Sequence, residues 1–516
     1  MDYTLEVFFG YPLFYGRDLL LISRAFAGAV VIICLVPLRL LADPFDLIGA
    51  GSRVSALAGG GTALIDGPAA AFYNPAALTV RDDFVLGAAY SGMVSHIHAR
   101  VTDYGTLGNI GWFQKTDLKG NVDPAATRSA INNAMAKTTK GSDLSGLTMM
   151  ASLPLRRLIP ALDREITLGA VVFMTANQVH GVTPNDPDFA WLGSRLHRLM
   201  VVFSAGVELW PKHISLGAGV IVLADISGNV HSMAPVATFD PAHPDNPIPP
   251  PVSVSTFSER LKIDVTPIVG LLIRATHWLS IGLSYRGQMN LDLNFNVDAG
   301  VTFNVGGKNI VASIPYHLRS NLLYLPHEFT LGLAAFPLKW LTITADFTVA
   351  FTKNFGSLLP VTRFTIDPSV IGPNGELLPL KDLGNFRAQE DSPLHVRTRN
   401  TYIPKIGFEF HPIAPLTLSM GYSWHPSPLM PDQAYQDMLL DSNVHLLGLG
   451  VGIDIKDPKG ILRRPFNISA YFNTMILDPR YNHIGRVDTK GNPIGRGVVK
   501  SSGYSMGGGL SVKVRF

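Results

Sequence analysis

From about residue 84 to the C-terminus, apolar and polar side chains alternate at period two in one segment after another. In an extended chain that period sends successive side chains to opposite faces, so the pattern predicts strands rather than helices. In Leu279 to Phe295 the odd positions carry Leu279, Ile281, Leu283, Tyr285, Met289, Leu291, Leu293 and Phe295. The even positions carry Ser280, Gly282, Ser284, Arg286, Gln288, Asn290, Asp292 and Asn294. Thr398 to His411 sets Tyr402, Pro404, Ile406, Phe408 and Phe410 against Arg399, Lys405, Glu409 and His411. Leu416 to His425 repeats it, with Leu418, Met420, Tyr422 and Trp424 opposed to Thr417, Ser419, Gly421, Ser423 and His425. Strands are predicted over 84–103, 145–154, 164–179, 198–210, 213–230, 257–273, 278–303, 328–336, 340–352, 398–411, 416–425, 443–456, 464–477 and 502–516.

A soluble sandwich buries its apolar face between two sheets, whereas a membrane barrel turns that face to lipid and keeps polar residues inside. Strand length separates the two. Soluble strands average about five or six residues, tilted membrane strands about 9–11, and the segments here are of the longer kind. Short connections (Trp210 to His213, Arg274 to His277, Phe336 to Lys339, His411 to Pro415) alternate with long ones rich in Pro, Asn and Asp (His231 to Val254, Thr352 to Leu394, Leu477 to Val498). The fold class expected is therefore all-β: a transmembrane antiparallel β-barrel of about 14 strands, short turns at the periplasmic end and long loops outside. The last strand ends on Phe516, which resembles the C-terminal signal of bacterial outer-membrane barrels. Two stretches fit this scheme least well: 104–144, which holds a helix-compatible run from Pro124 to Lys137, and 304–327.

Composition agrees with the periodicity. Charged residues make up 16% of the 516 positions, against about a quarter in soluble domains, so an apolar outer wall accounts for the deficit. A lone long apolar run spans Ala25 to Val36, between Arg24 and the small residue Ala42, and reads as a secretory signal cut after Ala42. Met1 to Ile22 lengthens it beyond a usual leader. The single cysteine, Cys34, follows Ile33, which is too bulky for a lipoprotein signal, and lies in the predicted leader, so the mature chain lacks disulfide and thiol chemistry. A net charge of +3 is too small to argue for nucleic acid. The domains expected are a leader, 1–42, a Gly/Ala-rich plug or hatch, 43–83, and the barrel, 84–516.

The barrel topology also assigns height to the inward positions. Glu165, Thr167 and Gly169, Ser204, Gly206 and Glu208, and Ser215, Gly217 and Gly219 fall low on the third, fourth and fifth strands. Val171 and Phe173, Met200 and Val202, and Ile221 and Leu223 fall high. An apolar upper lumen does nothing for a water-filled pore, but it favours a hydrophobic cargo by about 0.8 kcal/mol per buried methylene. The same six residues equally suit packing against a plug or an external loop.

Within 43–83, Gly51 to Gly59, Thr62 to Asp66 and Ala69 to Leu78, with Asn74-Pro75-Ala76 directly before the first strand, resemble the N-terminal hatch of the FadL-type outer-membrane transporters of long-chain fatty acids and other hydrophobic compounds. Leu325 to Gly332, Ile403 to Gly407 and Leu416 to Trp424 resemble barrel strands of that family. The resemblance runs from about residue 45 to 516. It implies a fourteen-stranded barrel plugged by the hatch. Ligand is captured outside, passed to a tighter pocket and released sideways beside a kinked third strand, without energy source or covalent chemistry. It also implies Asn74, Pro75 and Ala76 as the hatch element and Phe45 as an N-terminal pocket contact. Gly169 is the sole candidate for the kink. The partners implied are a hydrophobic small molecule, outer-membrane lipid with lipopolysaccharide, and the barrel-assembly machinery, for a monomer without cofactor. A general-diffusion porin or a surface ligand-binding barrel is the alternative.

Other chemistry is thinly represented. His96 and His98 share one strand face, but two histidines fall short of a metal site. Gly59 to Gly61 lack the following Lys-Ser/Thr of a phosphate loop, and no nucleophile elbow supports a hydrolase. No metal or catalytic residue is expected. Inward Arg286, Lys262, Asp264, Asp346, Asp454, Arg399, Lys405 and Glu409 suit either steering of an anionic head group or ion pairing across the lumen and to the hatch.

Overall fold

The structure, a computed structural model, describes residues 50–516 apart from 177–187, 190–198, 234–253, 355–360, 372–376, 380–395 and several shorter breaks. Phe45 and the expected leader 1–42 lie outside the described residues. Fourteen antiparallel strands form the wall: β1 (Val85–Asp103), β2 (Leu144–Pro154), β3 (Ile166–Thr175), β4 (Leu199–Trp210), β5 (Ile214–Met233), β6 (Val254–Thr276), β7 (Leu279–Arg286), β8 (Glu328–Leu338), β9 (Leu341–Ala350), β10 (Thr401–Ile413), β11 (Leu416–His425), β12 (Val444–Ile455), β13 (Phe466–Val487) and β14 (Pro493–Arg515). Each pairs with the next, and β14 pairs back onto β1 from Val85↔Arg515 to Val101↔Val499 without a shift. Closure leaves no edge for a second chain to pair with. Phe516 sits at this seam: its amide donates to Phe84 O at 2.9 Å and its ring lies 5.6 Å from that of Phe84.

The faces follow the alternation. Leu283, Tyr402, Ile406, Leu418 and Met420 are exposed on the outer wall, as are Phe203, Val265, Phe329, Leu449 and Phe472, while Ser280, Ser284, Lys405, Glu409 and Ser423 are buried inside. Such a continuous apolar exterior is far larger than a soluble monomer exposes and requires an apolar surrounding medium. No described helix is long and apolar enough to cross a membrane.

Three segments depart from the sequence expectation. Leu477 to Val498, expected as a loop, is largely strand: β13 runs on to Val487 and pairs with β14 from Pro493. Asp478, Pro479 and Arg480 break the apolar alternation there, but a ladder that stands beyond the apolar zone needs no apolar face. The predicted 278–303 strand divides at Gly287 and Gln288 into β7 and a segment Met289–Val305, which forms a hairpin with Lys308–Leu325. That second arm occupies the unassigned 304–327. Short strands Val361–Phe364 and Asp367–Ile371, within the expected loop 352–394, pair with this arm. The helix expected over 124–137 is α-helical over Pro124–Thr138.

Candidate functional site

Inside the barrel sits the segment from Ala50 to Val80, folded as α1 (Ser52–Ala56), α2 (Ala70–Tyr73) and two 3-10 turns, Gly67–Ala69 and Pro75–Val80. Helices this short are unstable alone, so their order derives from the wall around them. Asn74 and Pro75 turn the chain between α2 and the last 3-10 turn. The Asn74 side chain caps it by accepting from Ala76 N at 3.2 Å, and Pro75 occupies the first position, where a missing N–H costs nothing. The same side chain donates to Thr62 O at 2.9 Å and Leu271 O at 3.2 Å, tying two parts of the hatch to β6.

Rows of glycine make the seat. Gly206, Gly217 and Gly270 stand abreast on β4, β5 and β6. A Cβ at Gly206 would lie 2.6 Å from Pro75 O; at Gly217 and Gly270 it would overlap the Pro75–Ala76 backbone and Asn74 Oδ1. Gly407, Gly421 and Gly448 form a second row on β10, β11 and β12. There an added Cβ would meet Leu57 Cδ2 at 2.8 Å (Gly407) and Ala56 O at 2.5 Å (Gly448). Gly282 and Gly332, paired across β7 and β8, receive Thr62 in the same way. Close backbone approach is thus built into three sectors of the wall, with the glycines of each row in register on neighbouring strands.

Polar ties lock the seat. Asp346 on β9 accepts from Gly61 N, Thr62 N and Thr62 Oγ1, each at 2.8 Å. Glu409 on β10, fully buried, takes Arg53 in a two-pronged pair at 2.7 and 2.6 Å. Lys405 Nζ donates to Gly59 O, and Ser204 Oγ to Ala71 O. Within the hatch Asp66 joins Arg53 and Arg81 at 3.1 and 2.6 Å. Burial works against the Asp66 carboxylate, but the two guanidiniums outweigh it and hold the acid well below its usual range. Asp346, Lys405 and Glu409 therefore anchor the hatch. Arg286 pairs with Glu328 at 2.6 Å, Asp454 accepts from Asn467 Nδ2 at 3.0 Å, and Arg399 Nε donates to Ser427 O at 3.3 Å. The Lys262 side chain lies outside the described residues, and Asp264 Oδ1 accepts from Val265 N.

Above the hatch a cavity of about 190 Å³ opens between Phe72 and the upper wall. Met200, Ile221, Met289, Ile403, Val444, Leu446 and Met475 supply its apolar surface. Arg286 closes one side with its Cζ 4.9 Å over the Phe72 ring. On another side Ser427, Asp441 and Ser442 form a polar rim. Ser427 Oγ donates to Asp441 Oδ2 at 2.6 Å, Arg480 donates to Ser427 Oγ and to Leu429 O, and burial pushes the Asp441 carboxyl up to about 6.

The six apolar lumen residues are all buried and inward, but the structure divides them. Met200 and Ile221 line the cavity; Val171, Phe173, Val202 and Leu223 belong to the surrounding core and do not line it. Asn74, Pro75 and Ala76 are buried against β4 to β6. β3 pairs with β2 and β4 without a register shift, and at Gly169 an added Cβ would meet Leu78 at 2.6 Å, so this glycine makes room for the hatch and no break marks a sideways opening in the described wall. Phe72, Met289, Leu446 and Met475 were missed by sequence reasoning. Phe72 lies in the hatch, outside any alternating strand, and Met289 falls on the apolar odd face of 279–295 expected to point outward; the break at Gly287 and Gln288 reverses the phase and turns it inward. Leu446 and Met475 lie on strands whose inward face the alternation gives, but no signal showed which sector the hatch leaves open. His96 stacks on Tyr504 with ring centroids 5.0 Å apart, and no group of three or more metal-binding side chains occurs among the described residues.

No protein-family model matches the chain, and no curated protein matches it in sequence. Among solved structures, a FadL homologue of Pseudomonas aeruginosa superposes with a TM-score of 0.52 at 14% identity, over 90% of this chain and 98% of that one. The toluene transporter TodX of P. putida (TM-score 0.46, 14% identity, 91% and 99% covered) and the monoaromatic hydrocarbon channel CymD (0.45, 12%, 92% and 99%) also match. The fold is that of the FadL-type barrels: fourteen antiparallel strands closed around an N-terminal plug.

Proposed function

We propose that this barrel stands in the bacterial outer membrane and lets small hydrophobic molecules pass by diffusion, using the cavity between Phe72 and the upper wall as its capture site. The observation that carries this reading is the apolar lining at Met200, Ile221, Leu446 and Met475 in the centre of a barrel whose outer wall is also apolar. Size narrows the cargo. A cavity of about 150 Å³ holds benzene, so 190 Å³ accommodates one ring or a short stretch of alkyl chain. Charge narrows it again: among the described lining residues the one permanent cation, Arg286, is already paired with Glu328, and Asp441 adds a second acid. Uncharged hydrocarbons therefore suit the site better than fatty-acid anions, whose chains must extend beyond it.

On this reading the hatch gates passage, residues 43–83 form it, and the chain acts as a monomer without cofactor in lipid and lipopolysaccharide after delivery by the assembly machinery. A general-diffusion porin is disfavoured because the hatch fills the low lumen. The test is native mass spectrometry of the purified barrel with co-isolated ligand, paired with uptake in Ile221→Asp and Met475→Asp variants. Bound hydrophobic ligand and weakened uptake in both variants are expected. Absence of ligand with free passage of small sugars in liposome swelling would overturn the proposal in favour of a porin.

A further inference from the structure

A second cavity, of about 200 Å³, lies on the opposite side of the hatch, and its chemistry is the reverse of the first. It opens at the end of the barrel where the short turns lie, since Ala414 of the β10–β11 turn, Val85 and Arg515 line it. Arg53, Arg81, Lys513 and Arg515 face it against Asp66 and Asp454, with Glu409 behind Arg53. Four cations thus meet three carboxylates.

The pairing within this set is uneven. Arg53 and Arg81 share Asp66, and Arg53 also holds Glu409. Arg515 reaches Asp454 at 3.8 Å. Lys513 makes no hydrogen bond or ion pair among the described residues, although its stem packs beside Gly51 and Gly87. The acid that acts on it through space is Asp66, which two arginines already share, so the partly buried ammonium is incompletely balanced and the low-dielectric wall focuses its field into the cavity. Ser52, Thr417, Ser419, Asn467 and Ser469 add hydroxyl and amide groups around the same space.

We propose that this cavity is a binding site for a small oxyanion, a carboxylate or a phosphate, held by the Lys513 ammonium with Arg515 and Arg81 around it. The ligand supplies the missing negative charge. Its site is built jointly from the hatch and from β13 and β14, so occupancy bears on the same residues, Arg53 and Arg81, that hold the hatch. This inference is independent of what passes through the upper cavity.

Binding of inorganic phosphate and, separately, of hexanoate to the purified full-length barrel is measured by calorimetry at constant ionic strength. Saturable binding of at least one is expected. Lys513→Met weakens it about tenfold or more, whereas Lys500→Met, whose ammonium lies over the Tyr481 ring, leaves it unchanged. Arg515→Gln serves as the second variant, and heat-modifiable migration in gels verifies that each barrel is closed. Phosphate binding identifies a free ion as ligand; hexanoate binding without phosphate identifies an organic acid. Failure of both anions to saturate, or wild-type affinity in both Lys513→Met and Arg515→Gln, overturns the proposal.

Discussion

Gly206→Ala tests whether the glycine rows set the position of the hatch. The new Cβ would lie 2.6 Å from Pro75 O, 3.2 Å from Thr79 Cγ2 and 3.3 Å from Leu78 Cβ. The first of these is a backbone atom, so no side-chain rotation relieves it, and the hatch must lift by somewhat under about 1 Å. Overpacking of this kind costs about 1–3 kcal/mol. Lifting also stretches the Thr79–Ser215 bond of 2.7 Å and the Ser204–Ala71 bond of 2.8 Å, each worth about 1 kcal/mol. Hydrogen exchange read peptide by peptide is the assay. Amides of residues 70–80 are expected to lose about one to two orders of magnitude of protection, while strand amides in β9 to β12 keep theirs. Gly452→Ala is the matched control, because its Cβ would meet Ser469 Cβ at an ordinary 3.6 Å. Equal protection in Gly206→Ala and Gly452→Ala would refute the reasoning, and so would uniform loss across the whole barrel.

Glu409→Gln removes the buried partner of Arg53 and is expected to loosen the hatch by about 3–5 kcal/mol, seen as early release of residues 52–66 in exchange or proteolysis. Replacing both partners, as Arg53→Met with Glu409→Met, recovers most of that loss. Asp346→Asn leaves three donors to an amide oxygen and costs about 1–3 kcal/mol by the same readout. The pH dependence has opposite signs in two places. Asp66 is held low in the folded chain, so its contribution to hatch docking is complete above the unfolded value of about 3.9 and survives acidification to that point. Asp441 is raised to about 6, so its contribution is complete below the unfolded value and is lost as pH rises through about 6. Protection factors of residues 439–443, taken relative to intrinsic exchange at each pH, are accordingly higher at pH 5 than at pH 7.5, a difference that Asp441→Asn abolishes.

The wall was readable from the sequence because lipid and lumen impose a strict alternation on every strand, and that constraint shows locally. Leu279 to Arg286 and Leu416 to His425 needed no partner to reveal their faces. Beyond the apolar zone the constraint lapses, so the paired extension through Asp478 and Arg480 looked like a loop. The hatch was recognisable by Asn74-Pro75-Ala76, but its seat was not. Gly206, Gly217 and Gly270 lie far apart in the chain, and their alignment exists only once three strand registers are known. The cavity was half legible for a related reason. Height and face were available for Met200 and Ile221 as for Phe173 and Leu223, but only the placement of Phe72 separates lining from core.

The glycine rows also bear on how the barrel is made. A strand that slips by one residue turns its inward set outward. At β5 such a slip would bring Leu216 or Ala218 to the place of Gly217, beneath the Pro75–Ala76 backbone. The hatch could not then descend. Docking thus reads the register of β4 to β6 and β10 to β12 together, and a barrel closed out of register would retain a loose, protease-sensitive N-terminal segment. The plug is in this sense a proofreader of its own container.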